Sequence, residues 1–213
     1  MDTYKTDEEQ IESLKKWWEE NGTSVVFGIL LGFGALFGWR WWQQARLEKA
    51  ESAASQFQSL METSRGDDVK LTKNKAEKVI SEYGSTAYAV FAKLLLAKIA
   101  AQEKDYNTAE KHLRWALDNT DEKSVKLEIR LRLAKVLAAR EAYQEALKTL
   151  NGGDPGQFAA DYNELRGDIY IYQGNTEGAR LAYQEAIANK RIIGGDTARL
   201  QLKLDDLGNP ELK

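Results

Sequence analysis

From Asn21 to Trp39 the chain carries no charged residue, although 30% of its 213 residues are charged. Almost everywhere else apolar and polar positions alternate at helical spacing, so this run stands apart. Two tryptophans precede it (Trp17, Trp18) and three close it (Trp39, Trp41, Trp42). Trp18 and Trp39 are separated by roughly 31 Å at the helical rise, which matches the hydrocarbon thickness of a bilayer. Tryptophan favours the headgroup level, where its ring is half apolar and its N–H stays wet. Arg40 sits at the far edge, where a long side chain can snorkel toward the headgroups. The pattern predicts a membrane-spanning helix over residues 23–42. Trp39-Arg-Trp-Trp-Gln-Gln44 offers no small-residue cleavage site, so the segment reads as a retained anchor in a lipid bilayer and not as a signal peptide.

Four glycines interrupt this apolar run. Gly28 with Gly32 and Gly34 with Gly38 form two GxxxG notches, over which helices can approach closely. Glycine is also simply commoner in membrane helices, and the sequence leaves both explanations open.

Residues 1–22 form an acidic tail with a capping box at Thr6–Glu9 and apolar positions at Ile11, Leu14, Trp17 and Trp18. The spacing predicts a short amphipathic helix, ended by a turn at Asn21-Gly22. Lysine and arginine are balanced across the anchor, with Lys5, Lys15 and Lys16 before it and Arg40, Arg46 and Lys49 after it. Charge therefore leaves the orientation open.

Beyond the anchor the periodicity is helical to the end, which predicts an all-α domain over residues 43–213. Leu47, Ala50, Ala54, Phe57, Leu60 and Met61 keep step over residues 43–63, and Ser64–Asp68 is the first break. A pattern then recurs: Ala97, Ala109 and Leu113; Ala134, Ala146 and Leu150; Gly167, Ala179 and Tyr183. Each time a small residue is followed by another 12 later and a large one 4 beyond that. A weaker copy runs through Ala76, Ile80 and Tyr83. The period resembles the tetratricopeptide repeat, a helix–turn–helix unit of about 34 residues. Such units cannot bury their apolar faces alone and stack into a solenoid. Turns are expected at Glu103–Tyr106, Arg140–Tyr143 and Gln173–Thr176. After Gly194-Gly195 a capping helix should bury Leu200, Leu204 and Leu207. Its other face, with Arg199, Lys203, Asp205 and Asp206, should meet solvent, and Gly208 and Pro210 should stop it.

Composition narrows the chemistry. There is no cysteine, one histidine and a net charge of −3, which removes thiolate chemistry and gives no basic footprint for nucleic acid. His112 stands alone on a repeat helix and is expected to be a solvated residue, not a base or metal ligand. The Asn151–Gly156 loop lacks the lysine and the strand–helix setting of a phosphate cradle. The expectation is a non-enzyme with no cofactor and no metal, whose work is binding.

The first helix of each stacked unit lines the concave face. The register places Phe91, Leu94 and Lys98 there, then Glu128, Leu131 and Lys135, then Asp161, Glu164, Asp168 and Ile171. That surface would be apolar and basic at one end and acidic at the other. These side chains could equally be solvated or packed inside.

The acidic tail, the Gly32-Phe-Gly-Ala-Leu-Phe-Gly-Trp-Arg-Trp-Trp42 junction and the degenerate repeats together resemble the YfgM family of ancillary Sec translocon subunits. The resemblance spans essentially the whole chain, and the junction is its most specific part. It implies a single-pass protein of the bacterial inner membrane, with a cytoplasmic tail and a periplasmic repeat domain. It further implies association with the Sec translocon and the membrane-anchored foldase PpiD, and chaperone-like help to secreted clients as they emerge. The residues alone equally allow a membrane-tethered scaffold for another envelope complex.

Overall fold

The computed structural model describes the backbone of residues 7–208 and the side chains from Gln10 to Gly208. Among the described residues the chain is all α. The helices are α1 (Asp7–Thr63), α2 (Val69–Tyr83), α3 (Ala87–Gln102), α4 (Tyr106–Asp118), α5 (Lys123–Ala139), α6 (Tyr143–Leu150), α7 (Ala159–Tyr172), α8 (Thr176–Ile192) and α9 (Ala198–Asp205). A single 3-10 turn, Gly156–Phe158, precedes α7. The chain divides into two compact units, residues 1–52 and 53–213.

In the first unit the expected turn at Asn21-Gly22 is absent, and α1 runs through it unbroken. Local contacts explain why. The Asn21 side-chain amide donates to the Trp17 carbonyl at 3.0 Å, so its polar group is satisfied inside the helix. The Trp18 ring lies over Gly22, and a Cβ there would come within 3.1 Å of it. Turn chemistry thus yields to helix propagation, which needs only one more hydrogen bond per residue. The capping box expected at Thr6–Glu9 lies outside the described residues.

The second unit begins with the end of α1 and continues as helical hairpins, each element packed on its sequence neighbour. Phe57 and Leu60 of α1 meet Ala76 and Val79 of α2 and Ala92 and Leu96 of α3 in one apolar cluster. A larger core runs from α3 to α7 and contains the recurring small residues Ala97, Ala109, Ala134 and Ala146 with the large Leu113 and Leu150. Ala179 and Tyr183 continue the pattern, both buried. Tyr162 ties α7 to α5, its hydroxyl donating to the Leu127 carbonyl at 2.7 Å.

The hairpin turns fall where the sequence places them and share one geometry. Lys104, Glu141 and Gly174 each take a left-handed conformation (φ 62°, 63° and 74°). In each turn the next amide reaches back to a helical carbonyl: Asp105 to Ala100, Ala142 to Leu137 and Asn175 to Tyr170, at 2.8 to 2.9 Å. Asp105 and Asn175 then cap the following helix through Thr108 N–H and Gly178 N–H. A non-glycine residue in this conformation costs roughly 1 kcal/mol, a penalty glycine escapes. Glu141→Gly and Lys104→Gly should therefore each stabilise the repeat unit by about 0.5 kcal/mol, read in urea melts. A loss of stability in both would mean that the side chains, not the backbone, secure these turns.

Candidate functional site

The anchor segment of α1 is the one element long and apolar enough to cross a membrane among the described residues. Its apolar side chains, from Val26 through Phe37, are almost all exposed, which distinguishes it from the buried core helix of a soluble protein. The bracketing tryptophans Trp17, Trp18, Trp39, Trp41 and Trp42 are exposed too. Trp39 and Trp42 lie 5.2 Å apart, and the Arg46 guanidinium sits 4.8 Å over the Trp42 ring. A Cβ built at Gly28, Gly32, Gly34 or Gly38 meets nothing within 4 Å, so both notches are open surface.

The ten residues placed on the concave face of the repeat unit do not share one environment. Leu94, Lys98 and Lys135 come together around one depression of about 400 Å³, where Leu113 and Val136 complete an apolar floor and Arg132 joins the rim. Lys135 also borders a second depression of about 410 Å³ with Asp168, Leu165 and the tyrosines Tyr143 and Tyr172. Those two rings stack at 5.9 Å. Phe91 is partly exposed beside Phe57, with ring centroids 6.0 Å apart, and Ile171 is exposed at the end of α7. Asp161 stands in the first turn of α7. Glu128 pairs with Arg132 one helical turn on, at 2.5 Å. Leu131 is buried in the main core.

Glu164 and Asp168 are engaged within the chain. Glu164 is buried and receives Arg199 at 2.7 Å and Lys203 at 2.9 Å. Asp168 accepts from Lys203 at 2.6 Å and from the Tyr183 hydroxyl at 2.7 Å. Of the α9 face expected to meet solvent, Arg199, Asp205 and Asp206 are exposed, Arg199 reaching Glu164 from the solvent side, whereas Lys203 is drawn in toward α7. Leu200 and Leu204 meet Ala186 and Ile187. The reason is charge: a buried carboxylate must be paired, and α9 supplies the nearest cations. Burial opposes the Lys203 ammonium, but hydrogen bonds to Asp168 and Glu164 outweigh it and raise its pKa. Burial and the bond to Asp168 push the Tyr183 phenol up as well.

Sequence reasoning did not single out Arg132, Tyr143 or Tyr172. Arg132 could have been found from its helical spacing, four after Glu128 and three before Lys135. The tyrosine stack joins residues on separate hairpins and has no local signal.

His112 is half-buried rather than solvated. Burial, helped by Lys93, lowers its pKa below 6.5, against smaller opposing effects of Glu77 and Asp105. The unfolded chain then takes up the proton more readily than the native one. Stability should be complete above pH 6.5 and fall as the pH drops through the lowered native value. His112→Gln should flatten that part of a stability–pH curve; an unchanged curve would remove His112 as its source.

An exposed anchor and stacked hairpins with an open face define a class: membrane-anchored helical-repeat proteins. The family description "Tetratricopeptide repeat-like domain" matches residues 15–209. The ancillary SecYEG translocon subunit of Haemophilus influenzae is 32% identical over 196 residues, which cover 92% of this chain and 96% of that protein. Its Escherichia coli namesake is 30% identical over 207 residues, 97% of this chain and 99% of that protein. That of Neisseria gonorrhoeae is 24% identical over 208 residues. The chain belongs to this family, the YfgM ancillary translocon subunits.

Proposed function

We propose that this protein is a membrane-tethered subunit of the SecYEG translocon. Its repeat domain, on the periplasmic side, assists secreted polypeptides as they emerge, next to the foldase PpiD. The observation that carries this reading is the end-to-end match to relatives named for the translocon, 97% of this chain against 99% of the Escherichia coli protein. The match takes in anchor and repeats together, so the reading does not rest on the widely shared repeat fold. Tethering raises the local concentration of the repeat surface at the exit site, and a weak binder there can engage clients often. The test is copurification from mild detergent. SecY and PpiD should be recovered with the intact chain, and recovery of another envelope complex in their place would overturn the reading.

The open notches are the proposed intramembrane contact. Inside a bilayer no hydrophobic force draws helices together, so close packing over small residues matters more. Gly28→Leu with Gly32→Leu, or Gly34→Leu with Gly38→Leu, should leave insertion intact and lower translocon recovery several-fold. Unchanged recovery in both double variants would assign association to the repeat domain alone.

A further inference from the structure

We propose that the depression between α3 and α5 binds an internal peptide segment in which apolar side chains sit beside carboxylates. The inference rests on the client-binding reading above and specifies the chemistry of what is bound. Leu94, Leu113 and Val136 give the depression an apolar floor, while Lys98, Arg132 and Lys135 supply a rim of one sign. Arg132 is neutralised in part by Glu128. Lys98 and Lys135 are exposed and form no ion pair among the described residues. Their positions are equivalent, each directly following the small residue of its repeat (Ala97, Ala134).

The third repeat makes the contrast. After Gly167 the equivalent position is Asp168, and it is already occupied by Lys203 at 2.6 Å. The chain has therefore satisfied its own charge at the α7 end and left two cations unsatisfied at the α3–α5 end. Two ammonium groups over an apolar floor attract an anion that also brings apolar surface, since the floor contributes burial and the rim contributes selectivity. A basic or purely polar segment would leave one of the two unused.

The experiment uses the full chain in phosphatidylcholine nanodiscs and two fluorescent peptides, one alternating leucine with aspartate, the other leucine with asparagine. At low salt the aspartate peptide should bind about tenfold more tightly, the combined effect of two partly exposed ion pairs. Lys98→Gln with Lys135→Gln, both surface changes, should abolish that difference and leave the asparagine peptide's affinity unchanged. Equal affinities in the unaltered protein overturn the proposal, as does discrimination that survives in the double variant. Self-association that the double variant abolishes would assign the depression to a second copy and overturn it as well. Translocon copurification is measured on the same samples. Recovery of SecY without peptide discrimination sinks this inference alone, and discrimination without SecY sinks the translocon reading alone.

Discussion

Gly167→Ala should destabilise the repeat unit by about 1–3 kcal/mol, a fall in melting midpoint of roughly 3–10 °C. A Cβ at this position would lie 2.3 Å from Cε1 and 2.5 Å from Cδ1 of Tyr183, so α7 and α8 must separate or the ring must swing. The ring is not free to swing, because its hydroxyl is held by Asp168 at 2.7 Å. The preceding repeats show the alternative solution, with Ala97 and Leu113, and Ala134 and Leu150, at the same spacing in one buried core. Tyr183→Leu should accordingly rescue Gly167→Ala, giving a double variant more stable than the sum of the single changes predicts. Additive losses would mean that glycine is required for the backbone and not for the tyrosine.

Lys203→Met should release α9. The ammonium links Glu164 and Asp168, whose side chains are only 11% and 32% exposed, and its loss leaves Asp168, among the described residues, with the tyrosine hydroxyl alone. Removing one partner of a fully buried pair costs about 3–5 kcal/mol, and of an exposed pair under about 1. The intermediate burial here places the expected cost at about 1–3 kcal/mol. Limited proteolysis should cut at Gly194-Gly195 faster in the variant. An unaltered cleavage rate would mean that the Leu200 and Leu204 contacts, with the Arg199–Glu164 pair, hold the helix without Lys203. Because the native pKa of Lys203 is raised above 10.5, its contribution is complete below that pH and is lost as the pH rises through the raised value.

The parts of the fold legible in the sequence are those fixed by local periodicity. The small–small–large pattern and the three hairpin turns appear at the residues that announced them, and the bilayer-length apolar run lies within α1. What the sequence misjudged depended on partners distant in the chain. Lys203 read as solvated because its partner Asp168 on α7 lies 35 residues away. Asn21-Gly22 read as a turn because residue preference cannot show that Trp18 covers the glycine. In the candidate site, repeat register brought Leu94, Lys98 and Lys135 to one depression. It could not show that Glu164 and Asp168, in the same register, are consumed by the capping helix.

The interior of the repeat unit and its C-terminal layer are secured by different physics. The interior, from α3 to α7, is held mainly by apolar contact, which salt barely screens and which weakens on cooling, with ion pairs such as Arg114–Glu145 on its surface. The C-terminal layer depends in part on ion pairs at the rim of the solvent, within reach of mobile ions whose screening distance is about 8 Å at physiological strength. A rise in ionic strength should therefore weaken the C-terminal layer first, leaving α9 held chiefly by Leu200 and Leu204 against Ala186 and Ile187. Where α9 loosens, Asp168 loses its internal cation and adds its negative charge to the depression it shares with Lys135. Higher salinity should thus make that end of the face more acidic.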